Sequence, residues 1–357
     1  MGPIPKGGTV AVTGAAGFIG GWVVRRLLDK GYRVRACVRD ASDPERTDFL
    51  RAMPGYASGR LTVHSADLDE DGCFDDIFPG CHGVAHVSHV STYSDHDYVN
   101  RVCNHIIESV NKARTVRRVV VTSSVAAVMS DADMNEFARR PVFYEDRYPD
   151  EFNPKRTPER QGYSMAKVIA QNAFSDAAAK NGDWEAVTCC PADNVGPIQS
   201  AHQKNMGPWQ HNIEMMLLGE CAQSGAYRPW MTVDVRDDAD CHIGLLESVH
   251  VRNGERYIAW STDKVNVEDI CAGIDRLLPE LGHDTPEATD NFPDYIRERE
   301  SKYRGIWAGC ELRNDRIKAV TDVEFRPFDE SLRDCVESLL TVAKVKPKLR
   351  EGFEHRV

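Results

Sequence analysis

The sequence lacks any long apolar run. Nowhere among its 357 residues do about eighteen apolar residues follow one another, as a membrane-spanning helix would require. The opening stretch MGPIPKGGTVAVTG also lacks the apolar segment behind a charged start that marks a signal peptide. We therefore expect no membrane partner and a cytoplasmic location.

An excess of basic residues is missing as well. The chain has 44 Lys and Arg against 55 Asp and Glu, which gives a formal net charge of −11. Because no chain-wide positive field attracts a phosphate backbone, nucleic acid is not an expected partner.

Disulfide and metal-binding patterns are absent too. None of the 11 cysteines forms a Cys-x-x-Cys pair, and reduced thiols in a cytosol are the simplest interpretation. No spaced pair of histidines has a matching third ligand, so we expect no metal. His242 lies in an apolar stretch and is predicted to be a hydrogen-bonded core residue rather than a catalyst.

The sequence does contain a regular alternation of strand and helix patterns. Such alternation is expected for right-handed βαβ units, which form a parallel sheet with helices on both faces. The predicted strands are Thr9–Val12, Arg33–Val38, Leu61–Val63, Gly83–Val87, Arg118–Thr122 and Ala186–Cys190. The predicted helices are Gly20–Lys30, Cys73–Phe78, Tyr98–Ala113 and a segment after Tyr163.

This pattern predicts an α/β fold with a doubly wound, Rossmann-type parallel sheet. Residues 1–190 are expected to form mainly a dinucleotide-binding domain. Residues 191–357 are expected to form mainly a smaller C-terminal substrate lobe, with some segments returning to the first domain. Between Asp131 and Gln161, prolines and charges interrupt the pattern and predict a long loop, and such loops are often functional.

The first strand runs into a glycine-rich segment, TGAAGFIG. Its glycines, Gly14, Gly17 and Gly20, are spaced by three. Between a strand and a helix, such glycines permit a tight turn and bring backbone N–H groups close to a pyrophosphate. The segment therefore indicates a dinucleotide site.

The end of the second strand distinguishes between the two nicotinamide cofactors. An NAD site usually has an acidic residue there, whereas this chain has Arg39, and Arg46 follows. A guanidinium pairs with a 2′-phosphate, so we predict NADP. Asp40 keeps NAD as the less favoured alternative. Asp67, after the third strand, is either a ligand of the adenine amino group or an ordinary loop aspartate.

Two hydroxyls and a Tyr-x-x-x-Lys pair indicate acid–base chemistry. Ser123 and Ser124 end a buried strand, and YSMAK places Tyr163 and Lys167 on one face of a helix. A unit charge about 4 Å from a phenolate stabilises it by roughly 4 kcal/mol at an effective dielectric near 20. Stabilisation of this size makes a phenol a usable general acid near neutral pH.

The ordered motifs TGAAGFIG, ADL, TSS, YSMAK and PADNVGP resemble the short-chain dehydrogenase/reductase superfamily, in its extended branch, and most of all its dihydroflavonol reductase-like carbonyl reductases. The resemblance implies hydride transfer between a nicotinamide and a carbonyl carbon. It makes Tyr163 the proton donor, Ser124 the hydrogen-bond partner of the carbonyl oxygen, and Lys167 the residue that holds the nicotinamide ribose. The motifs and the resemblance together assign as cofactor-binding residues Thr13, Gly14, Gly17, Phe18, Ile19, Gly20, Arg39, Arg46, Asp67, Leu68, Val87, Ser88, Ser123, Tyr163, Lys167, Pro191 and Asn194.

The sequence departs from the pattern of that family at several positions. Ser88 stands where relatives usually have alanine, and Asp193 and Asn194 stand where apolar residues are common. Asp193 is expected to point to solvent or to recognise a polar substrate group. No catalytic asparagine is evident near residue 100, so Asn100 and Asn104 are candidates only for a water relay.

The expected substrate is a ketone or aldehyde, interconverted with its alcohol. Aromatic side chains of the loop and the lobe suit an aromatic or bulky ketone, although the same residues could form the core of the lobe. The candidate substrate contacts are Ser124, Tyr163, His89, Met129, Tyr144, Trp209 and Trp230. For the oligomeric state, the sequence leaves open both a monomer and a homodimer.

Two alternative functions also stay open. A sugar-nucleotide epimerase or dehydratase would retain NAD and need a diphosphate pocket, which Arg139, Arg140 and Arg147 could supply, while Arg39 counts against it. A non-catalytic NADPH-binding regulator would not need the intact serine, tyrosine and lysine.

Overall fold

The structure of the chain is a computed structural model that describes residues 2–129, 142–145, 158–221, 229–284, 288 and 292–353. The strands are β1 (Thr9–Thr13), β2 (Arg33–Val38), β3 (Leu61–Ser65), β4 (Gly83–His86), β5 (Arg118–Thr122), β6 (Val142–Phe143), β7 (Glu185–Pro191), β8 (Asp193–Val195), β9 (Trp230–Asp234), β10 (Arg256–Ala259), β11 (Lys264–Val265) and β12 (Glu311–Leu312). The α-helices are α1 (Phe18–Asp29), α2 (Pro44–Arg51), α3 (Pro54–Ala57), α4 (His96–Ala113), α5 (Val125–Val128), α6 (Pro158–Asn181), α7 (Pro208–Leu217), α8 (Val235–Glu247), α9 (Val267–Glu280), α10 (Asp294–Ala308), α11 (Asp315–Thr321) and α12 (Phe328–Thr341).

The central sheet has seven strands in the order β10-β7-β5-β4-β1-β2-β3, and they all run parallel. The chain builds the sheet outward from β1 in one direction through β2 and β3, and in the other through β4 and β5. The strand order thus reverses between β1 and β4. At such a reversal, the carboxyl ends of the neighbouring strands leave a crevice in which ligands bind. The predicted doubly wound α/β fold is confirmed.

Strand β5 illustrates why the central strands are buried on both faces. Its sequence is RVVVT, and all five residues are buried. Val120 packs into the core shared with α1 and α8, whereas Val119 and Val121 pack into the core shared with α4 and α6. Burial of each valine side chain contributes about 1.5–3 kcal/mol. Consecutive apolar residues are typical of parallel strands covered by helices on both faces.

Side-chain caps define where two of the covering helices begin. The Asp95 carboxylate accepts a hydrogen bond from the Tyr98 N–H at 2.9 Å and so starts α4. The Asp234 carboxylate accepts one from the Arg236 N–H at 2.8 Å and starts α8. Each cap satisfies a donor that has no partner within the helix, which contributes about 1 kcal/mol.

The residues beyond β7 form a smaller sheet and most of a second apolar core. In the three-stranded sheet, β8 and β9 are parallel and β9 and β11 are antiparallel. Side chains of α7, α9 and α12 pack with Trp230 in this second core, and Phe18 of α1 packs there as well. Helix α8 and strand β10 return to the large sheet, β10 pairing with β7 and α8 packing beside α1.

The predicted helix at Cys73–Phe78 was wrong, because the segment forms successive turns. Gly72 has a φ of 73°, and Pro79 and Gly80 follow, so the segment between these breaks is too short for a helix. Helix α6 starts at Pro158, within the predicted long loop. Val142–Phe143, also within the predicted loop, form β6, and residues 131–141 and 146–157 of that loop lie outside the described residues.

Within the part of the chain that the structure describes, no helix combines the length and the apolar character needed to cross a membrane.

Candidate active site

A cleft of about 1380 Å³ opens at the carboxyl ends of the parallel strands. Its lining brings together all the residues predicted to bind the dinucleotide and the three predicted catalytic residues. Four predicted substrate contacts also line it: His89, Met129, Trp209 and Trp230. Small-ligand pockets usually measure roughly 300–1,000 Å³, so this cleft has room for a dinucleotide together with a second molecule.

Tyr144 is the predicted substrate contact that the described structure does not bring into the cleft. Its side chain is 42% exposed and follows β6, which pairs with β12 in a separate two-stranded sheet. The arginines predicted as possible diphosphate contacts, Arg139, Arg140 and Arg147, lie outside the described residues.

The glycine-rich loop is packed so tightly that side chains do not fit. Gly14 has a φ of 66°, and a Cβ there would lie 2.9 Å from the backbone of Ser88. A Cβ on Gly20 would lie 2.2 Å from the Gly14 carbonyl oxygen. Gly17 precedes α1, which no side chain caps. This loop therefore fits a pyrophosphate held by backbone N–H groups at the start of α1.

A buried hydrogen-bond network supports the loop from below. The Ser88 hydroxyl donates to Thr13 Oγ1 at 2.7 Å, and Thr13 Oγ1 lies 2.9 Å from His86 Nδ1. Burial lowers the pKa of His86 to about 3, and the charge of Lys167 adds to the effect. The imidazole is therefore neutral at pH 7. The hydroxyl of Ser88, bonded to Thr13, helps to fix the loop.

Two residues of the lobe also hold the loop, and the sequence did not indicate them. His202 and Gln203 lie in a short 3₁₀ helix, Ala201–Asn205. His202 Nε2 lies 2.8 Å from the Ala16 carbonyl oxygen, and Gln203 Nε2 donates to the Gly17 carbonyl oxygen at 3.1 Å. Their partners are more than 180 positions away in the chain, so no local pattern could reveal them.

The predicted phosphate-binding arginines lie at the rim of the cleft. Arg39 is 79% exposed at its side chain, and its Nε lies 3.8 Å from Asp67 Oδ2. Arg46 Nε lies 3.5 Å from Asp43 Oδ2. Asp40 Oδ1 instead accepts hydrogen bonds from the hydroxyl and the backbone N–H of Ser42, which lower the pKa of Asp40. The Asp40 carboxylate oxygen Oδ1 is thus hydrogen-bonded within its own turn by Ser42.

The three predicted catalytic residues come from two neighbouring elements. Ser124 caps α5, where its Oγ accepts a hydrogen bond from the Ala126 N–H at 3.1 Å. Lys167, on α6, is only 9% exposed and donates to the Thr122 carbonyl oxygen at 3.1 Å. Its Nζ lies 5.7 Å from the ring centroid of Tyr163, one turn earlier. Tyr163 is 42% exposed and faces the cleft, so a ligand can reach its hydroxyl.

Asp193 and Asn194 lie on the far wall of the cleft. Asp193 does not point to solvent, because it is 3% exposed and its Oδ2 accepts a hydrogen bond from the Met231 N–H at 2.9 Å. Asn194 Nδ2 donates to the Ala192 carbonyl oxygen at 3.3 Å. Asn194 Oδ1 is buried without a hydrogen-bond partner among the described residues. A carboxamide donor, such as that of a nicotinamide, would satisfy this oxygen.

Aromatic side chains line the same cleft as the catalytic residues. Trp209 and Trp230 meet at 4.7 Å between ring centroids and 63° between planes. Trp230 is 1% exposed, so it belongs to the core of the lobe as well as to the cleft. Tyr93, which the sequence did not single out, also lines the cleft and contacts the Tyr163 ring.

Asn100 and Asn104 lie away from the catalytic residues. Both are on α4 and line a separate surface depression with Asp97 and Glu108. The structure therefore offers no support for a water relay through either asparagine.

The chain is similar to known proteins over most of its length. It matches the family model described as the NAD dependent epimerase/dehydratase family over residues 10–259. It is 32% identical over 339 residues to a dihydroflavonol 4-reductase of Zea mays, an alignment that covers 92% of this chain and 89% of that protein.

Solved structures share the fold. Vestitone reductase from alfalfa (Medicago sativa) aligns with a TM-score of 0.66 and 22% identity, over 93% of this chain and 98% of that one. The yeast methylglyoxal/isovaleraldehyde reductase complexed with NADPH aligns with a TM-score of 0.72 and 22% identity, again over 93% and 98%.

Proposed function

This chain belongs to the NAD dependent epimerase/dehydratase family, within the extended short-chain dehydrogenases/reductases, and from that premise we propose that it is an NADPH-dependent carbonyl reductase. It interconverts a ketone or aldehyde with the corresponding alcohol. The observation that carries the proposal is the meeting of Ser124, Tyr163 and Lys167 with the glycine-rich loop in one cleft. The reductase relatives named above support the same chemistry.

Each catalytic residue has a separate task in the proposed reaction. Tyr163 gives its proton to the oxygen of the carbonyl group as that group is reduced. Ser124 Oγ is held by the Ala126 N–H, and its own O–H donates to the same carbonyl oxygen. Lys167, held at the Thr122 carbonyl, stabilises the phenolate that remains on Tyr163. When bound, NADPH supplies the hydride that the carbonyl carbon accepts.

NADPH is proposed over NADH because of the charges at the rim of the cleft. Arg39 and Arg46 present guanidinium groups at the end of β2 and the start of α2. A guanidinium forms charge-assisted hydrogen bonds with a phosphate, which are stronger than those to a hydroxyl. Asp40, the residue that would favour a ribose 2′-hydroxyl, is engaged by Ser42.

An aromatic or bulky ketone is the proposed substrate class. The walls beside Tyr163 carry the rings of Tyr93, Trp209 and Trp230 together with Met129. Flat apolar surfaces of this kind bind aromatic groups by stacking and by burial of apolar area.

A Tyr163→Phe variant tests the proposal. NADPH consumption is measured by absorbance with a panel of aryl ketones, and NADPH binding by fluorescence. The variant should bind NADPH normally and lose about a hundredfold or more of its activity, since the ring stays and the proton donor is removed. A Tyr56→Phe control, far from the cleft, should retain activity. Tight NADPH binding by the wild type without turnover of any carbonyl would favour the regulator, and turnover of nucleotide sugars with NAD would favour the epimerase.

A further inference from the structure

A row of buried polar groups continues from Lys167 through the sheet to its other face. Lys167 Nζ donates to the Thr122 carbonyl oxygen at 3.1 Å. The hydroxyl of the same threonine lies 2.7 Å from His242 Nε2. His242 Nδ1 in turn lies 2.8 Å from the backbone oxygen of Asp238 and 3.2 Å from its Oδ1. Thr122, the last residue of β5, therefore connects the lysine on α6 with a pair on α8.

These groups are deeply buried, so each of them needs a partner. His242 and Asp238 are 0% exposed, and Lys167 makes no ion pair with any described residue. Burial alone would lower the pKa of His242, but Asp238 raises it above its ordinary value, while Lys167 opposes protonation. A protonated His242 donates from Nδ1 to Asp238 and from Nε2 to the Thr122 hydroxyl. His242 and Asp238 then fix the side chain of Thr122 from the face of the sheet opposite Lys167.

The same residues could be read as a metal site, but their hydrogen bonds argue against it. Ligand atoms of Cys189, Asp238 and His242 lie within 4.8 Å of one another. Both nitrogens of His242 are already engaged, one with Thr122 and one with Asp238. The Cys189 thiol donates to Asp238 Oδ1 at 3.6 Å, and burial raises the pKa of that thiol well above its ordinary value. A thiol must lose its proton to bind a metal, so the cluster favours hydrogen bonding.

We propose that His242 and Asp238 are a positioning pair for Lys167, which they hold in place through Thr122. The hydrogen bond between His242 and the Thr122 hydroxyl fixes the end of β5. The Thr122 carbonyl oxygen therefore stays directed at the Lys167 ammonium group. Neither residue lines the cleft, so they act through Thr122 and do not touch the substrate. The proposal rests on the proposed reductase function, in which Lys167 belongs to the catalytic set.

Variants of Thr122 and His242 test the proposal. Thr122→Val removes only the hydroxyl that His242 contacts, and Thr122→Ser keeps it. Thr122→Val should lower kcat about tenfold, the expected effect of losing one buried hydrogen bond, and Thr122→Ser should be at least about fivefold more active than Thr122→Val. His242→Phe should lower kcat to a similar extent, and His242→Gln, which keeps an amide near Thr122, should recover part of the loss. Cys241→Ala, buried on the same helix, is the packing control and should leave kcat unchanged.

A second measurement separates positioning from a general loss of stability. The Cε resonance of Lys167 is followed by ¹³C NMR in the free protein, together with the melting temperature of each variant. The chemical shift of this resonance should change in Thr122→Val and His242→Phe and stay the same in Cys241→Ala, even if all three variants have equally lowered melting temperatures. An unchanged resonance in both variants, or a kcat for Thr122→Ser as low as that for Thr122→Val, would overturn the proposal. If the wild type reduces no carbonyl compound, the reductase function fails, and the resonance still reports on the pair.

Discussion

The ring of Tyr93 meets the ring of Tyr163 edge to face, with centroids 4.9 Å apart and 83° between the planes. Such aromatic contacts contribute about 0.5–1.5 kcal/mol beyond the area that they bury. Tyr93 therefore supports the ring of the proposed acid, which remains 42% exposed in this arrangement.

Loss of the Tyr93 ring should reduce activity. We expect Tyr93→Ala to lower kcat/KM about two- to tenfold, the factor that 0.5–1.5 kcal/mol corresponds to. Tyr93→Phe keeps the ring and should stay close to the wild type. Steady-state kinetics with an aryl ketone measure both variants. An equal loss in Tyr93→Phe would assign the effect to the hydroxyl and contradict the role of the ring.

Arg39 should determine the choice between NADPH and NADH. Because a charge-assisted hydrogen bond contributes about 1.5–3 kcal/mol, Arg39→Ala should reduce the preference for NADPH about ten- to a hundredfold. The measured quantity is the ratio of kcat/KM for the two cofactors. Arg33→Ala, at the opposite end of the same strand, is the matched control and should not change this ratio. A preserved ratio in Arg39→Ala would contradict the phosphate assignment.

The contacts from the 3₁₀ helix to the glycine-rich loop should strengthen NADPH binding. His202→Ala removes one hydrogen bond to the Ala16 carbonyl and should raise the Kd for NADPH about fivefold, as expected from about 1 kcal/mol. His211→Ala, an exposed histidine on the adjacent helix α7, serves as the control. Titration by NADPH fluorescence measures both. If the two variants bind NADPH equally well, the loop does not depend on His202.

Protonation of His86 should destabilise the protein in acid. The unfolded chain binds a proton on this residue below about pH 6.5, whereas the folded chain binds it only near pH 3, because burial lowers the pKa of His86. Stability is therefore lost as the pH falls through this window, by about 2 kcal/mol between pH 6.5 and pH 5. Urea unfolding at the two pH values measures the loss. His86→Asn, which does not titrate there, should lose about 2 kcal/mol less, and equal losses would refute the prediction.

Six of the seven strands of the central sheet could be predicted from the sequence, and a central strand such as β5 is buried on both faces. The edge strand β10 (Arg256–Ala259) was not predicted. Arg33–Val38 and Arg118–Thr122 have the predicted bounds, since their β-branched runs end at sharp changes in composition. The helix at Cys73–Phe78 was wrongly predicted because a few apolar residues in a short segment do not distinguish a helix from turns. The residues that bound the segment, Gly72, Pro79 and Gly80, are the local signals that favour turns.

The residues that line the cleft were predictable to the extent that they belong to local motifs. The glycine-rich loop and the Tyr163–Lys167 pair are each contained in a few positions, and parallel strands bring their carboxyl ends to one edge. Tyr93 and His202 act through contacts with distant parts of the chain, 70 and 186 positions away. Such contacts follow from the tertiary structure, which spacing alone does not encode.

The late addition of β10 to the large sheet affects how the chain folds during its synthesis. On the ribosome, the edge of β7 remains open until β10, more than sixty residues later, has been synthesised. An open strand edge readily pairs with other chains. Closure of the large sheet thus waits for the segment around residue 259, and nascent chains that stop short of it are exposed to aggregation.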